Sequence, residues 1–194
     1  DIAFAKGFRK SLIISPQDIW GKKMSSTLSK RWIALGGHCA EVKAYAGGID
    51  LQLSLDELLL QTQKNIKNGF KAIKMKVGLS LEEDIHNLKC IREAIGYDIK
   101  LMVDANHGYT THDAFYVGRA MEEFDPYWFE EPVAPEDYDG YRFLKNKLKT
   151  NIAGGEAEFT KYGWNKLIKN KCIDIAQPEV CGLGGITEYL KVAA

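Results

Sequence analysis

A chain of 194 residues, 45% of them hydrophobic, is long enough for one sizeable core and too apolar to stay disordered. Lysine plus arginine equals aspartate plus glutamate at 26 each, so no basic excess steers the chain to nucleic acid, and small molecules are the expected partners. Cys39, Cys90, Cys172 and Cys181 fit neither a zinc spacing nor a disulfide framework and suit a reducing cytosol; no apolar run approaches the ~18 residues of a membrane span or makes a signal-peptide core. The setting expected is cytoplasmic, without a membrane or nucleic-acid partner.

Residues 1–37 read as a helical fragment near Ile2 to Phe8, a break at Ser15-Pro16, and a second segment from Gln17 to about Leu35 closed by Gly36-Gly37. From Glu41 a regular alternation begins with a short strand, Val42 to Ala46, closed by Gly47-Gly48. Ser54, with Glu57 three positions on, makes a capping box for a helix whose face is Leu58, Leu59, Thr62 and Ile66 and which ends at Asn68-Gly69. The strand Ala72 to Val77, the helix Ser80 to Ile95, the strand Lys100 to Val103 and the helix Asp113 to Glu123 follow. Three more strands end near Glu130, Glu156 and Glu179, each before a helix: Pro135 to Leu148, Lys161 to Lys169, and Gly185 to Ala194. Six strand-helix units in which parallel connections repeat every ~25 residues predict an α/β fold of the TIM-type (β/α) barrel, two units short of the usual eight. A doubly wound sheet is the alternative, but no Gly-x-Gly-x-x-Gly follows the first strand and nothing marks a reversal of strand order.

The chemistry concentrates at strand ends. Leu101-Met102-Val103 stops at Asp104, Tyr127-Trp128-Phe129 stops at Glu130, and Asn151-Ile152-Ala153 runs through Gly154-Gly155 to Glu156, at intervals of 26 residues. One acid at a strand end is ordinary, but parallel strands deliver all three to one rim, where a hard cation such as Mg²⁺ takes oxygen ligands. Glu131 follows Glu130 and, by strand alternation, points the other way, in a structural role.

Lys74 and Lys76 share one face of a strand that should be apolar. Alone they would suit an exposed edge. Beside an acidic rim they read differently: two neighbouring ammonium groups lower one another's pKa, so Lys76 is expected to be partly neutral near pH 7 and to act as a base, with Lys74 charged and holding an anionic substrate. Asn106 and His107, just past Asp104, are the candidates to face the substrate, although a loop histidine is more often merely solvated. His38, His86 and His112 have no partner pattern, and Trp128 and Phe129 read as barrel core.

Lys74-Met75-Lys76, Val103-Asp104-Ala105-Asn106, Phe129-Glu130-Glu131-Pro132, Gly154-Gly155-Glu156, and Gln177-Pro178-Glu179 running to Gly184-Gly185-Ile186-Thr187 together resemble the enolase superfamily, in its mandelate racemase/muconate lactonizing branch, over about residues 34–194. The resemblance implies a modified (β/α)7β barrel in the full protein, with residues 1–37 a remnant of a capping domain and its connecting helix and 38–194 an incomplete catalytic barrel. It implies one Mg²⁺ held by Asp104, Glu130 and Glu156 against a substrate carboxylate, and Lys76 as the base that yields a stabilised enediolate.

Glu179 stands where lysine-pair epimerases and cycloisomerases place a second lysine, which argues against those activities. Acid-sugar dehydratases and mandelate racemase-like members usually place Asp there, paired with a His on the seventh strand; Glu179, one methylene longer, is the corresponding candidate catalytic residue. The stretch from Gly154 to Glu179 looks most like sugar-acid dehydratases. A magnesium-dependent lyase that dehydrates a sugar acid, assembled as a homo-oligomer, is therefore expected, with a racemase or epimerase of a hydroxy acid and a non-catalytic metal-binding paralogue as alternatives. Six units would leave two open parallel edges, so the native polypeptide is expected to be longer. An intact mass above 21.8 kDa agrees with this expectation, and one matching 21.8 kDa counts against it.

Overall fold

A computed structural model describes residues 45–193 with their side chains, and residues 10–14 and 38–43 as backbone strands. The helical segments expected near Ile2 to Phe8 and from Gln17 to Leu35 lie outside the described residues. Strands β1 (Lys10–Ile14) and β2 (His38–Lys43) pair in parallel as a two-stranded sheet. A second sheet contains β3 (Ala46–Ile49), β4 (Ala72–Lys76), β5 (Lys100–Asp104), β6 (Trp128–Glu130), β7 (Asn151–Gly154) and β8 (Ile175–Ala176). Its order is β3-β4-β5-β6-β7-β8, all parallel. Helices α1 (Leu55–Lys67), α2 (Leu81–Ile95), α3 (Thr111–Met121), α4 (Tyr138–Lys147), α5 (Thr160–Lys169) and α6 (Ile186–Ala193) alternate with these strands. Neighbours in the sheet are neighbours in sequence with no reversal of order, which is the winding of a (β/α) barrel and not of a doubly wound sheet.

Helices α1 to α4 begin where a short polar side chain takes up a free backbone N–H. Ser54 and Glu57 form the expected reciprocal capping box on α1. Ser80, Thr110 and Asp137 accept from the backbone N–H of Glu83, Asp113 and Gly140 at the starts of α2, α3 and α4. One expected strand is not formed as read: β2 stops at Lys43, and Gly47-Gly48 lie inside β3 instead of closing the strand before it. The register shifts between Ala46 and Ile49 while Gly48 takes φ 79°, so the glycine pair supplies an irregularity within a strand. Strands β7 and β8 also stop early, which leaves Glu156 and Glu179 on the loops beyond them.

Alternation of side chains divides the central strands into two faces. Ile73, Met75, Leu101, Val103, Phe129 and Ile152 face the helices and are buried with Leu88, Ile91, Val117, Met121, Leu144 and Leu167. Each such aliphatic side chain contributes about 1.5–3 kcal/mol relative to exposure, so the strand-helix layer supplies most of the cohesion. The opposite face carries a smaller cluster, Met102, Trp128 and Ala153, packed against Tyr45, Ala72, Tyr127 and Ile175. Lys74, Lys76, Asp104 and Glu130 belong to this second face by register, Lys74 opposite Met102 and Lys76 opposite Asp104, which itself pairs with Glu130.

Cys90, Cys172 and Cys181 are free thiols, and no helix among the described residues is long and apolar enough to cross a membrane.

Arg92, 3% exposed on α2, joins three units. Its guanidinium donates to the carbonyls of Phe124 (2.8 Å), Gly96 (2.8 Å), Ile99 (2.9 Å) and Asp125 (3.0 Å). These belong to the end of α2, the entry to β5 and the turn after α3. Arg92→Met should lower unfolding free energy in urea by about 2–4 kcal/mol, because it strands several buried acceptors at once, and Arg92→Lys should recover only part of that loss because a single ammonium cannot span the four carbonyls.

Candidate active site

The sheet brings Lys74, Lys76, Asp104 and Glu130 together at the carboxyl ends of β4, β5 and β6. Asp104 and Glu130 are each 1% exposed. The Lys74 ammonium lies 2.8 Å from both Asp104 Oδ2 and Glu130 Oε1, and the Lys76 ammonium lies 2.7 Å from the same Asp104 oxygen while also donating to Asn106 Oδ1. The remaining carboxylate oxygens are also met: the Asn106 backbone N–H donates to Asp104 Oδ1 at 3.0 Å, and the Trp128 indole donates to Glu130 Oε2 at 2.9 Å. Every oxygen of the two buried acids therefore has a donor, the condition for charge to survive burial. Trp128, expected as plain core, also orients Glu130; the signal was its place two residues before that acid, on the same strand face.

The expected mutual lowering of two lysine pKa values is not what governs Lys74. Burial pushes it down, but Glu130 and Asp104 outweigh burial and hold the ammonium charged, well above its usual range. Burial likewise raises Asp104, and Lys74 and Lys76 overcome it, leaving the carboxyl below its usual range. The Lys74 ammonium also sits 5.4 Å from the centre of the Tyr45 ring.

Beyond the strands the backbone turns left-handed at non-glycine residues: Asn106 (φ 42°), His107 (φ 64°) and Glu131 (φ 41°). Alternation ends where the extended backbone ends, so it no longer fixes the direction of Glu131. Glu131 is 1% exposed and lies beside Tyr141 and Gly155. Burial, then the charges of Glu156, Asp104 and Glu130, push its carboxyl up to about 8. His107 donates its backbone N–H to the Glu131 carbonyl at 2.8 Å, and its Nδ1 lies 3.1 Å from the Val133 carbonyl. Its Nε2 is 3.0 Å from Glu131 Oε2 but poorly aligned, so that buried oxygen has no hydrogen-bond partner. Half-buried His107 is thus clamped onto the neighbouring loop.

Glu156 is exposed two residues past β7, near enough for its charge to act on Glu131. Gly155 makes the turn that delivers it, at φ 114°, where an added Cβ would come within 2.4 Å of the Trp164 ring. Glu179 is not brought into the cluster. It is exposed after β8, and its carboxylate accepts the backbone N–H of Gly182, an interaction that holds it below the usual carboxylate range.

Among the described residues, no three His, Cys, Asp or Glu side chains already surround one metal position. The donor chemistry nevertheless fits a hard divalent cation. Asp104, Glu130 and Glu156 offer oxygens only, Glu131 feels unneutralised negative charge, and a cation, the Lys74 ammonium, bridges Asp104 and Glu130.

Residues 57–194 match the Enolase C-terminal domain-like family. The chain belongs to the enolase superfamily. It is 37% identical over 192 residues to the 3,6-anhydro-alpha-L-galactonate cycloisomerase of Streptomyces coelicolor, which covers 97% of this chain and 53% of that protein. It is 38% identical over 178 residues to the arabinonate dehydratase of Saccharolobus solfataricus, covering 90% of this chain and 47% of the relative. The crystal structure of L-talarate dehydratase from Polaromonas, complexed with Mg and L-glucarate, superposes with a TM-score of 0.79 at 31% identity, over 86% of this chain and 48% of that one. This enolase-superfamily chain spans about half the length of the curated relatives it matches.

Glu131 gives a pH signature. A carboxyl raised from 4.5 to about 8 keeps its proton in the folded state where the unfolded chain has released it, so folding stability falls as pH rises across that window. In chelator-treated protein, the thermal midpoint of Glu131→Gln relative to wild type should rise between about pH 5 and pH 8, measured by calorimetry. A difference that stays flat with pH would show that Glu131 titrates normally.

Proposed function

We propose that the protein removes the α-proton of a sugar-acid carboxylate and then expels a β-hydroxyl as water, acting as a magnesium-dependent dehydratase. The observation that carries this reading is the juxtaposition of Lys76 with Asp104 and Asn106 beside a buried Lys74–Glu130 pair, at the strand edge where barrel enzymes do their chemistry. Asp104, Glu130 and Glu156 would hold the cation. When bound there, magnesium supplies positive charge to the substrate carboxylate and to the oxygens of the enediolate.

The chain's own residues divide the remaining work. Lys76 in its neutral form takes the α-proton onto Nζ, and Asn106 Oδ1 fixes the direction of that amine. Lys74, held charged, adds attraction for an anionic substrate. The Trp128 indole keeps Glu130 oriented, and Asn106 and His107 line the substrate side. Glu179, whose carboxylate accepts the Gly182 N–H within its own turn, is given no step in this reading. A second reading shares proton removal and then breaks a β C–O bond that belongs to a ring of the substrate, so the leaving oxygen takes up a proton and stays on the product instead of departing as water; the likeness to the Streptomyces coelicolor cycloisomerase supports it.

The test is α-proton exchange in deuterated water with Mg²⁺ and a panel of sugar acids, followed by NMR with product analysis. Lys76→Ala should lower exchange by about 10²–10⁴-fold, the usual worth of a general base, and chelation should abolish it. A 2-keto-3-deoxy product lighter than the substrate by one water indicates dehydration, and an isomer of unchanged mass indicates cycloisomerisation or racemisation. Magnesium binding without exchange on any acid would mean a paralogue that kept the site and lost the reaction.

A further inference from the structure

Asp84 lies in the first turn of α2, is 1% exposed, and plays no part in the chemistry above. Its carboxylate accepts the Gly78 N–H with both oxygens at 3.1 Å, the Leu79 N–H at 3.3 Å and the Tyr109 hydroxyl at 2.5 Å. The two amides belong to the loop that leaves β4 just after Lys76. The hydroxyl belongs to the loop that leaves β5 just after Asp104, Asn106 and His107. Where these loops meet, no side chain separates them. Gly78 takes φ 126°, and a Cβ on Gly108 would stand 2.9 Å from the Ala105 carbonyl oxygen and 3.5 Å from Gly78 Cα.

Capping of α2 does not account for this arrangement, because Ser80 already caps that helix through the Glu83 N–H. Nor does Tyr109 need Asp84 to stay in place. Its ring packs edge-on to Phe129 with centroids 6.2 Å apart, and its N–H reaches the Pro132 carbonyl at 3.3 Å. The hydroxyl-carboxylate bond is the surplus, and it crosses from one strand end to the next.

We propose that Asp84 and Tyr109 are positioning residues: their hydrogen bond locks the loop after β4 to the loop after β5, and so sets the Lys76 amine against Asp104 and Asn106. A buried carboxylate held by three donors is a rigid joint, and a base displaced by about 1 Å can lose as much as a hundredfold in rate. The inference rests on the proposed reaction for its kinetic test and on loop geometry alone for its second test.

In the full-length protein, Tyr109→Phe removes one oxygen and keeps the ring. It should lower kcat for α-proton exchange about 10- to 100-fold with KM within about twofold, the pattern of lost transition-state geometry and not lost binding. Asp84→Asn, which keeps one acceptor oxygen, should fall between wild type and Tyr109→Phe. Ser80→Ala, which weakens the start of α2 without touching the joint, should lower the thermal midpoint and leave kcat unchanged. A wild-type kcat in Tyr109→Phe, or a loss no larger than that of Ser80→Ala, overturns the proposal. Hydrogen exchange at the Gly78 and Leu79 amides is read alongside. Faster exchange in Tyr109→Phe supports the lock, and unchanged protection overturns it even where wild type exchanges no acid and the proposed reaction has itself failed.

Discussion

Two carboxylates on adjacent strand ends, Asp104 and Glu130, are withdrawn from water, and the arrangement of the rim follows from the need to compensate them. Removing an ion from water costs several kcal/mol even after relaxation, and the cost is recovered only where opposite charge and hydrogen bonds are already in place. Parallel pairing sets Asp104 beside Glu130, the inward face of β4 supplies Lys74 and Lys76, and Trp128 and the Asn106 amide take the remaining lone pairs. Losing any one of these partners leaves a buried charge exposed to its neighbours.

The strands can carry so polar a cluster because their other face carries the fold. A parallel sheet is ordinarily apolar on both sides. Here the helix-facing layer, from Ile73 and Met75 through Val103 and Phe129, is almost inaccessible to solvent and supplies the cohesion. The inward face is left with a thin apolar cluster around Trp128 and Met102, and above it a charged rim. Stability and chemistry are thus assigned to alternate residues of the same strands.

What the strands begin, the loops complete. Left-handed backbone at Asn106 and His107 bends the loop after β5, so that Asn106 meets Lys76 and His107 meets the next loop, and bare glycines let the loops after β4 and β5 touch. Non-glycine residues in this conformation cost of order 1–3 kcal/mol each and persist where surrounding contacts over-determine them. The clamp of His107 on the next loop is such a contact. A chain so organised over about half the length of its superfamily relatives already contains the acids and lysines of the proposed reaction.

Five of the six strand-helix units, the capping box at Ser54, the shared face of Lys74 and Lys76, and the rim where Asp104 and Glu130 meet were legible in the residues alone. All of these follow from short-range rules: alternation by two, helical periodicity, and the parallel sense imposed by a connecting helix. Long-range packing settled what lies beyond those rules. It placed Gly47-Gly48 inside a strand, because a glycine pair bulges as readily as it turns. It put left-handed backbone at Glu131 beside a buried carboxyl, gave Trp128 a carboxylate to hold, left Glu179 on its own turn, and let two carboxylates outweigh burial at Lys74. Each of these depends on which distant side chain arrives within a few ångströms, and residue spacing along a chain does not carry that distance.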